Sequence, residues 1–251
     1  LISIKTDEEF VAMREAGRIV AEVLAWSREN VRAGMTTLDV DAEAERIIRA
    51  RGATPEFKGY RGFPASICAS VNDEVVHGIP GKRKLKTGDV VGIDVGARWG
   101  GFVGDAAITL PIGKVTKEAE RLIETCRECL ELAIKATGPG VRLSAIGAAV
   151  QTHAESRGYT LVREYAGHGI GRHMHEEPSV PNYVDARSRH RDHVLRPGMA
   201  ICIEPMVNQG GAEVRVLDDD WTVVTRDGSL SAHFEHTVAI RATGAEVMTV
   251  L

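Results

Sequence analysis

The sequence predicts an α+β fold built from two similar halves, and three features carry that prediction. They are four helical segments with recognisable ends, short apolar β runs between and after them, and a weak internal repeat. The repeat has two offsets. A shift of 106 residues lays Gly34, Val40, Ala42, Arg51 and Gly52 on Gly140, Ile146, Ala148, Arg157 and Gly158. A shift of 110 lays Gly88 and Asp94 on Gly198 and Glu204, each pair framing an apolar strand that runs from a glycine turn to a carboxylate. Two similar offsets in one chain order point to a duplicated unit. They put Asp94 and Glu204 at matching places on one sheet, facing a shared centre.

Thr6 to Glu9 reads as a capping box, in which the Thr6 hydroxyl and the Glu9 carboxylate satisfy each other's backbone donors. Phe10, Met13, Gly17, Val20 and Leu24 follow at helical spacing, so a long amphipathic helix begins there. A second helix is predicted over 37–51, with Gly52 as its left-handed stop. The run 66–71 reads as a strand. Runs 90–97 and 102–110 read as a hairpin, with Gly96, Gly100, Gly101 and Gly104 at turn and bulge positions. The third helix covers 116–136, its apolar face formed by Leu122, Ile123, Cys126, Cys129, Leu130, Ala133 and Ile134; the fourth covers 144–157 and stops at Gly158. Strands over 199–204, 214–217, 222–225 and 234–240 close the chain. No Pro- or Ser-rich linker divides these segments, so residues 1–251 are expected to form one domain with halves near 1–115 and 116–251.

The 251 residues suffice for a full core, since a chain of this length hides roughly three quarters of its unfolded surface. Hydrophobic residues at 43% and charged residues at 26% exclude disorder, and a net charge of −4 argues against a protein that coats DNA or other nucleic acid. Apolar stretches fall far short of the ~20 residues a membrane helix needs, and no secretory pattern is seen. A cytoplasmic location, no membrane association and a monomer are expected. The four cysteines are too few for a disulfide scaffold. Cys126 and Cys129 lie one turn apart in a helical pattern with no second pair nearby, which favours core packing over zinc or redox chemistry.

Chemistry concentrates at four carboxylates on apolar strands. Asp94 ends the run Val90-Val91-Gly92-Ile93, and Asp105 begins the run Ala106-Ala107-Ile108-Thr109-Leu110. Glu204 follows Ala200-Ile201-Cys202-Ile203, and Glu235 precedes His236-Thr237-Val238. Each alone could be a turn or salt-bridged acid. Burying one as an unpartnered ion costs several kcal/mol, however, and a metal would offset that cost. The segment Gly167-His168-Gly169-Ile170-Gly171, followed by His173 and His175, adds imidazoles on a backbone that allows close approach. Spacing alone does not decide which histidine ligates. Four carboxylates balance two divalent cations, and an oxygen-rich set with one imidazole suits Mn, Fe, Co or Zn. Two such ions hold a hydroxide and polarise a carbonyl, which makes peptide hydrolysis a natural use.

These residues resemble the type I methionine aminopeptidases, of the pita-bread metallopeptidase fold. The resemblance runs from the first helix to the last strand. It is most specific at Val76-His77-Gly78-Ile79-Pro80, at the Asp94 and Asp105 segment, and at Tyr165 through Gly171 with His175 and Asn182-Tyr183. Gly198-Met199 through Glu204-Pro205-Met206, and Ser231 through Thr237, complete it. The resemblance implies a central curved antiparallel sheet with helices on its outer face and pseudo-twofold halves.

For the site it implies Asp94 as a terminal ligand of one metal, Asp105 and Glu235 as bridging ligands, and His168 and Glu204 as ligands of the other. His77 and His175 would support the tetrahedral intermediate, with Glu204 assisting proton transfer. Tyr60, Phe63, Cys68 and Trp221, together with His77 and His175, would bind the substrate, the apolar members lining a slot for methionine. Asn72 and Ser231 match positions for an auxiliary monovalent cation. The implied activity is removal of the initiator methionine from nascent chains with a small second residue, by a hydroxide held between the two metals. An Xaa-Pro peptidase of the same fold and a non-catalytic binding module are the rivals.

Departures from the family pattern are Phe63 in place of a second tyrosine, Met174 in place of an aromatic, and His233 in place of glutamine. The stretch 185–193 reads as slightly longer than the minimal form. The short bacterial form, without an N-terminal extension, is the form expected. The basic loop Lys82, Arg83, Lys84 and Lys86 is expected to be solvated, with transient ribosome contact as its other use.

Overall fold

A computed structural model describes residues 2–184 and 192–251. Most of the stretch 185–193, singled out above for its length, therefore lies outside the described residues. In chain order the elements are α1 (Asp7–Asn30), α2 (Thr37–Ala50), β1 (Thr54–Pro55), β2 (Ile67–Val71), β3 (Glu74–Val76), β4 (Val90–Trp99) and β5 (Phe102–Pro111). There follow α3 (Lys117–Lys135), α4 (Leu143–Ser156), β6 (Thr160–Leu161), β7 (Gly167–Gly169), β8 (Glu176–Val180), β9 (Ala200–Ile203) and β10 (Met206–Asn208). The chain closes with β11 (Val214–Val216), β12 (Val223–Thr225), β13 (Ser231–His233), β14 (Glu235–Arg241) and β15 (Gly244–Val247).

Helix ends follow local chemistry. The Thr6 side chain accepts from Glu9 N–H while the Glu9 carboxylate accepts from Thr6 N–H, and Thr36 and Asp39 repeat this box at the start of α2. The β4–β5 hairpin closes through Gly100 and Gly101, both at positive φ, with Trp99 paired to Phe102. That is the backbone a two-residue primed turn requires.

Among the described residues, nine strands form one sheet in the order β1-β4-β5-β14-β9-β7-β8, with β2 on β4 and β15 on β14. Two three-stranded sheets, β13-β10-β6 and β11-β12-β3, complete the fold. The pairings of the large sheet are antiparallel. Strand alternation divides its faces. Val91, Ile93, Val95, Ile108, Ile201, Ile203, Val238 and Ile240 pack with Ile19, Val20, Leu122 and Ile146 of the helices. The residues between them, Asp94, Asp105, Cys202 and Glu235 among others, point to the other face.

The repeat is visible in the backbone. Helices α2 and α4 are both 14 residues long and begin 106 residues apart. Gly34 N–H donates to Leu85 carbonyl and Gly140 N–H to Leu195 carbonyl, while isolated bridges join Thr36 to Lys84 and Arg142 to Val194. The offset is 106 on one side of each contact and 110 on the other, as the sequence repeat requires.

One predicted strand needs correction. The run 234–240 does not begin at Phe234: β13 and β14 flank that residue and belong to different sheets. β9 and β10 make the same switch across Glu204-Pro205. Both glutamates thus stand where the chain leaves one sheet for another. Cys126 and Cys129 are buried free thiols, and Cys126 Sγ donates to the Pro205 and Ala232 carbonyls, which is a packing role.

Candidate metal centre

Five neighbouring strands of the large sheet bring one candidate donor each: β4 Asp94, β5 Asp105, β14 Glu235, the end of β9 Glu204, and β7 His168. Register decides that they share a face. Asp94 and Glu235 both lie opposite Ala107, and Asp105 is two positions from Ala107 on the same strand. Thr237 lies opposite Cys202, two positions from Glu235 and Glu204 respectively. Directly opposed residues, and residues two apart on a strand, point the same way.

The glycines around His168 are required by close packing. A Cβ on Gly167 would lie 2.2 Å from the Cys202 carbonyl oxygen, and one on Gly169 would lie 2.1 Å from that of Glu177. Their absence lets β7 press between β8 and β9. His168 Nδ1 is 2.9 Å from the Gly169 carbonyl, so that nitrogen carries the proton and Nε2 keeps a free lone pair. Nε2 lies 3.5 Å from Glu204 Oε1.

Electrostatics set these residues apart. Burial raises the Asp94 carboxyl to about 7. Burial first, and mutual repulsion second, push Asp105, Glu204 and Glu235 well above the usual carboxylate range. Burial also lowers His168 to about 3 and His77 to about 4, and it lowers His175. A group of acids that resist ionising, beside imidazoles that resist protonation, suits a bound cation.

The fit to divalent metal rests on unsatisfied oxygen. Among the described residues, Asp94 Oδ1, Asp105 Oδ1 and Glu235 Oε1 are buried with no hydrogen-bond partner. Buried polar atoms are rarely left so, and cations are what carboxylate oxygens accept. Donor atoms of Asp105, His168, Cys202 and Glu235 lie within 4.8 Å of one another.

Asp94, Asp105, His168, Glu204 and Glu235 form the floor of a cleft of about 510 Å³, also lined by Tyr60, Phe63, Cys68, His77, His175 and Trp221. Tyr60 Oη is 2.8 Å from His175 Nδ1. Phe63 and Trp221 meet edge to face with ring centroids 5.1 Å apart. His77 adopts a positive φ of 60°. Of the site residues named from the sequence, Asn72 and Ser231 fall outside the cleft lining; Ser231 N–H donates to the Asn72 carbonyl at 3.0 Å.

Two residues near the donors were missed as participants. Cys202 precedes Glu204 by two positions on one strand, and that alternation was the available signal. His233, noted only as a departure, is buried with Nε2 4.0 Å from Glu204 Oε2.

The chain matches metallopeptidase family M24 over residues 11–242. It is 47% identical over 249 residues to methionine aminopeptidase 1 of Bacillus subtilis, with 99% of each chain covered. It superposes on the crystal structure of methionine aminopeptidase from Thermotoga maritima with a TM-score of 0.96 at 44% identity, covering 100% of both chains. The prolidase from Pyrococcus furiosus is similar in fold alone, with a TM-score of 0.78 at 23% identity over 99% of this chain and 65% of that one. The predicted pita-bread architecture is therefore the fold of this protein. No helix among the described residues is long and apolar enough to cross a membrane. A divalent metal is the cofactor this kinship implies, and the partnerless carboxylate oxygens fit it: the chain belongs to metallopeptidase family M24, a family of hydrolases.

Proposed function

We propose that this protein is an aminopeptidase that removes N-terminal methionine from nascent chains and peptides with a small second residue. The observation that carries the reading is one donor from each of five adjacent strands, gathered beneath a cleft with an aromatic wall. Four carboxylates call for two divalent ions, drawn from Co, Mn, Fe or Zn. Asp94, Asp105 and Glu235 would hold one, and His168 and Glu204 with the shared Asp105 and Glu235 the other. When bound, these ions supply Lewis-acid polarisation of the scissile carbonyl and a water nucleophile at neutral pH.

The protein's own groups do the rest. His77 and His175 are neutral near pH 7 because burial disfavours their charged forms. Neutral imidazole N–H groups steady the developing oxyanion and the leaving amide. Tyr60 Oη and His175 Nδ1 share a hydrogen bond, and with the phenol as its donor the ring proton of His175 would reside on Nε2. Glu204, whose proton affinity is raised by burial and by Asp94 and Asp105, takes a proton from the nucleophile and returns it to the leaving amine. Phe63, Trp221, Cys68 and Tyr60 offer an apolar slot to a flexible thioether.

The same reading includes a cytoplasmic monomer. The exposed Lys82, Lys84 and Lys86 are available for brief contact with ribosomal RNA, while Arg83 pairs with Glu74 at 2.8 Å. It also includes a monovalent cation near Asn72 and Ser231. Asn72 Oδ1 accepts from Val90 N–H and Ser231 Oγ donates to Asn208, so main-chain carbonyls would be prominent among the donors.

The test is a competition among Met-Ala-Ser, Leu-Ala-Ser and Ala-Pro-Ser after metal removal and readdition, with released residues identified by mass. Metal-dependent release of Met alone is expected. Cleavage of Ala-Pro-Ser instead would make the protein an Xaa-Pro peptidase, and silence on all three from folded, metal-loaded protein would make it a binding module.

A further inference from the structure

Cys202 stands among the donors without belonging to the five-residue set. It lies opposite Thr237 and two positions before Glu204, so register turns its side chain to the same face as Glu235. Its Sγ is one of four donor atoms, with those of Asp105, His168 and Glu235, that all fall within 4.8 Å of one another. All four residues are at least nine-tenths buried. Asp105 Oδ1 and Glu235 Oε1 are buried without a hydrogen-bond partner among the described residues, and the Cys202 thiol makes a long 3.7 Å contact with Thr237 Oγ1 and faces the Glu235 carboxylate.

That geometry is close to a coordination shell. A tetrahedral ion with Zn-type bonds of about 2.0–2.3 Å has its donors about 3.3–3.7 Å apart. The observed 4.8 Å limit exceeds that spacing by about 1 Å, a distance on the scale of small side-chain adjustments. The donor types also differ from those of the four-carboxylate reading. One thiol, one imidazole and two carboxylates form a mixed set that favours thiophilic ions, whereas carboxylates alone favour hard ones.

We propose that Cys202 is itself a metal donor, and that the first equivalent of a thiophilic divalent ion binds this protein through Asp105, His168, Cys202 and Glu235. The proposal rests on the reading of Asp105, His168 and Glu235 as metal donors. On binding, the thiol proton passes to solvent and a sulfur lone pair forms the new bond; nothing is oxidised or reduced. The protein thereby has a soft-ion mode beside its dinuclear one, and the residue at position 202 tunes its preference among metals.

The test is a titration of the metal-free, full-length protein with Co²⁺ under reducing, oxygen-free conditions. The near-ultraviolet sulfur-to-cobalt charge-transfer band is read, with calorimetry reporting binding independently. The band is expected with the first equivalent in the wild type and in Cys68→Ser, and is expected to vanish in Cys202→Ser. In the same variant Cd²⁺ affinity should fall about tenfold or more while Mn²⁺ affinity barely changes, because a hydroxyl remains acceptable to the harder ion. Cys202→Ala is the second variant should the serine one fail to fold, and it too must lack the band. Binding without a band in the wild type, or a band that survives in either Cys202 variant, overturns the proposal while leaving the metal centre standing. No binding of any ion overturns both.

Discussion

Gly167 and the Cys202 carbonyl are in such close contact that a Cβ added to the glycine would lie 2.2 Å from that oxygen. This approach seats β7 against β9 and sets how deeply His168 enters the cleft.

Gly167→Ala should accordingly be costly. Backbone on β9 must move, and overpacking of this kind typically costs about 1–3 kcal/mol. Urea unfolding of the metal-free protein should show a lower midpoint, and metal affinity should drop because His168 shifts with its strand. Wild-type stability and affinity in this variant would contradict the packing account.

His175 and Tyr60 separate a reacting group from its support. His175→Ala should lower kcat about 100- to 1,000-fold, the range for a lost oxyanion donor. Tyr60→Phe removes one hydrogen bond of about 0.5–1.5 kcal/mol and should cost only a few-fold. Steady-state kinetics on Met-Ala-Ser checks both, and an equal loss in the two variants would mean that Tyr60 does more than orient the ring.

Metal loading should release protons. Asp94 is raised to about 7 by burial, and Asp105, Glu204 and Glu235 are raised as well, so below that pH the metal-free site holds protons that a cation must displace. Affinity should climb as pH rises from 5 to about 7, the Asp94 value. His168, lowered to about 3, is already neutral across that window and contributes none of the protons. The sign for stability of the metal-free protein is opposite. These carboxyls have folded values above their unfolded ones, so the folded state binds more protons and their contribution to stability falls as pH rises. Calorimetry of metal binding in buffers of different ionisation enthalpy reads the proton count; zero release at pH 6 would contradict the assignment.

The aromatic wall should govern recognition more than turnover of the bound peptide. Trp221→Ala, or Phe63→Ala, opens the slot and should raise KM for Met-Ala-Ser about tenfold, as partial loss of an apolar pocket does. The preference for Met over Leu should narrow in the same assay. Unchanged KM and unchanged preference would place the methionine side chain elsewhere.

Local signals were legible in the sequence, and register was not. The Thr6–Glu9 box and the Gly100-Gly101 turn are decided within four residues of chain, and the structure has both. The paired offsets of 106 and 110 were readable because α2 and α4 kept their full length and glycine stops. β7 and β10, at three residues each, are too short for strand alternation to be seen. The break at Phe234 was hidden because neither glycine nor proline marks it and only the hydrogen-bonding partner changes. All four carboxylates stood out as charges on apolar strands, whereas Cys202 passed as a core residue. Its nearness to Asp105, His168 and Glu235 exists only once β9 is paired with β14 and β7.

The central claim is that adjacent strands assemble one metal centre with Asp105 shared between its ions. Counting metal bound per chain, by equilibrium dialysis and elemental analysis, tests it most directly. Wild-type protein should retain about two divalent ions, as four carboxylates and an imidazole predict. Asp105→Asn should keep the circular dichroism of the folded protein yet lose both ions and peptidase activity together. A folded Asp105→Asn protein that keeps its full metal content and hydrolyses Met-Ala-Ser would contradict the account.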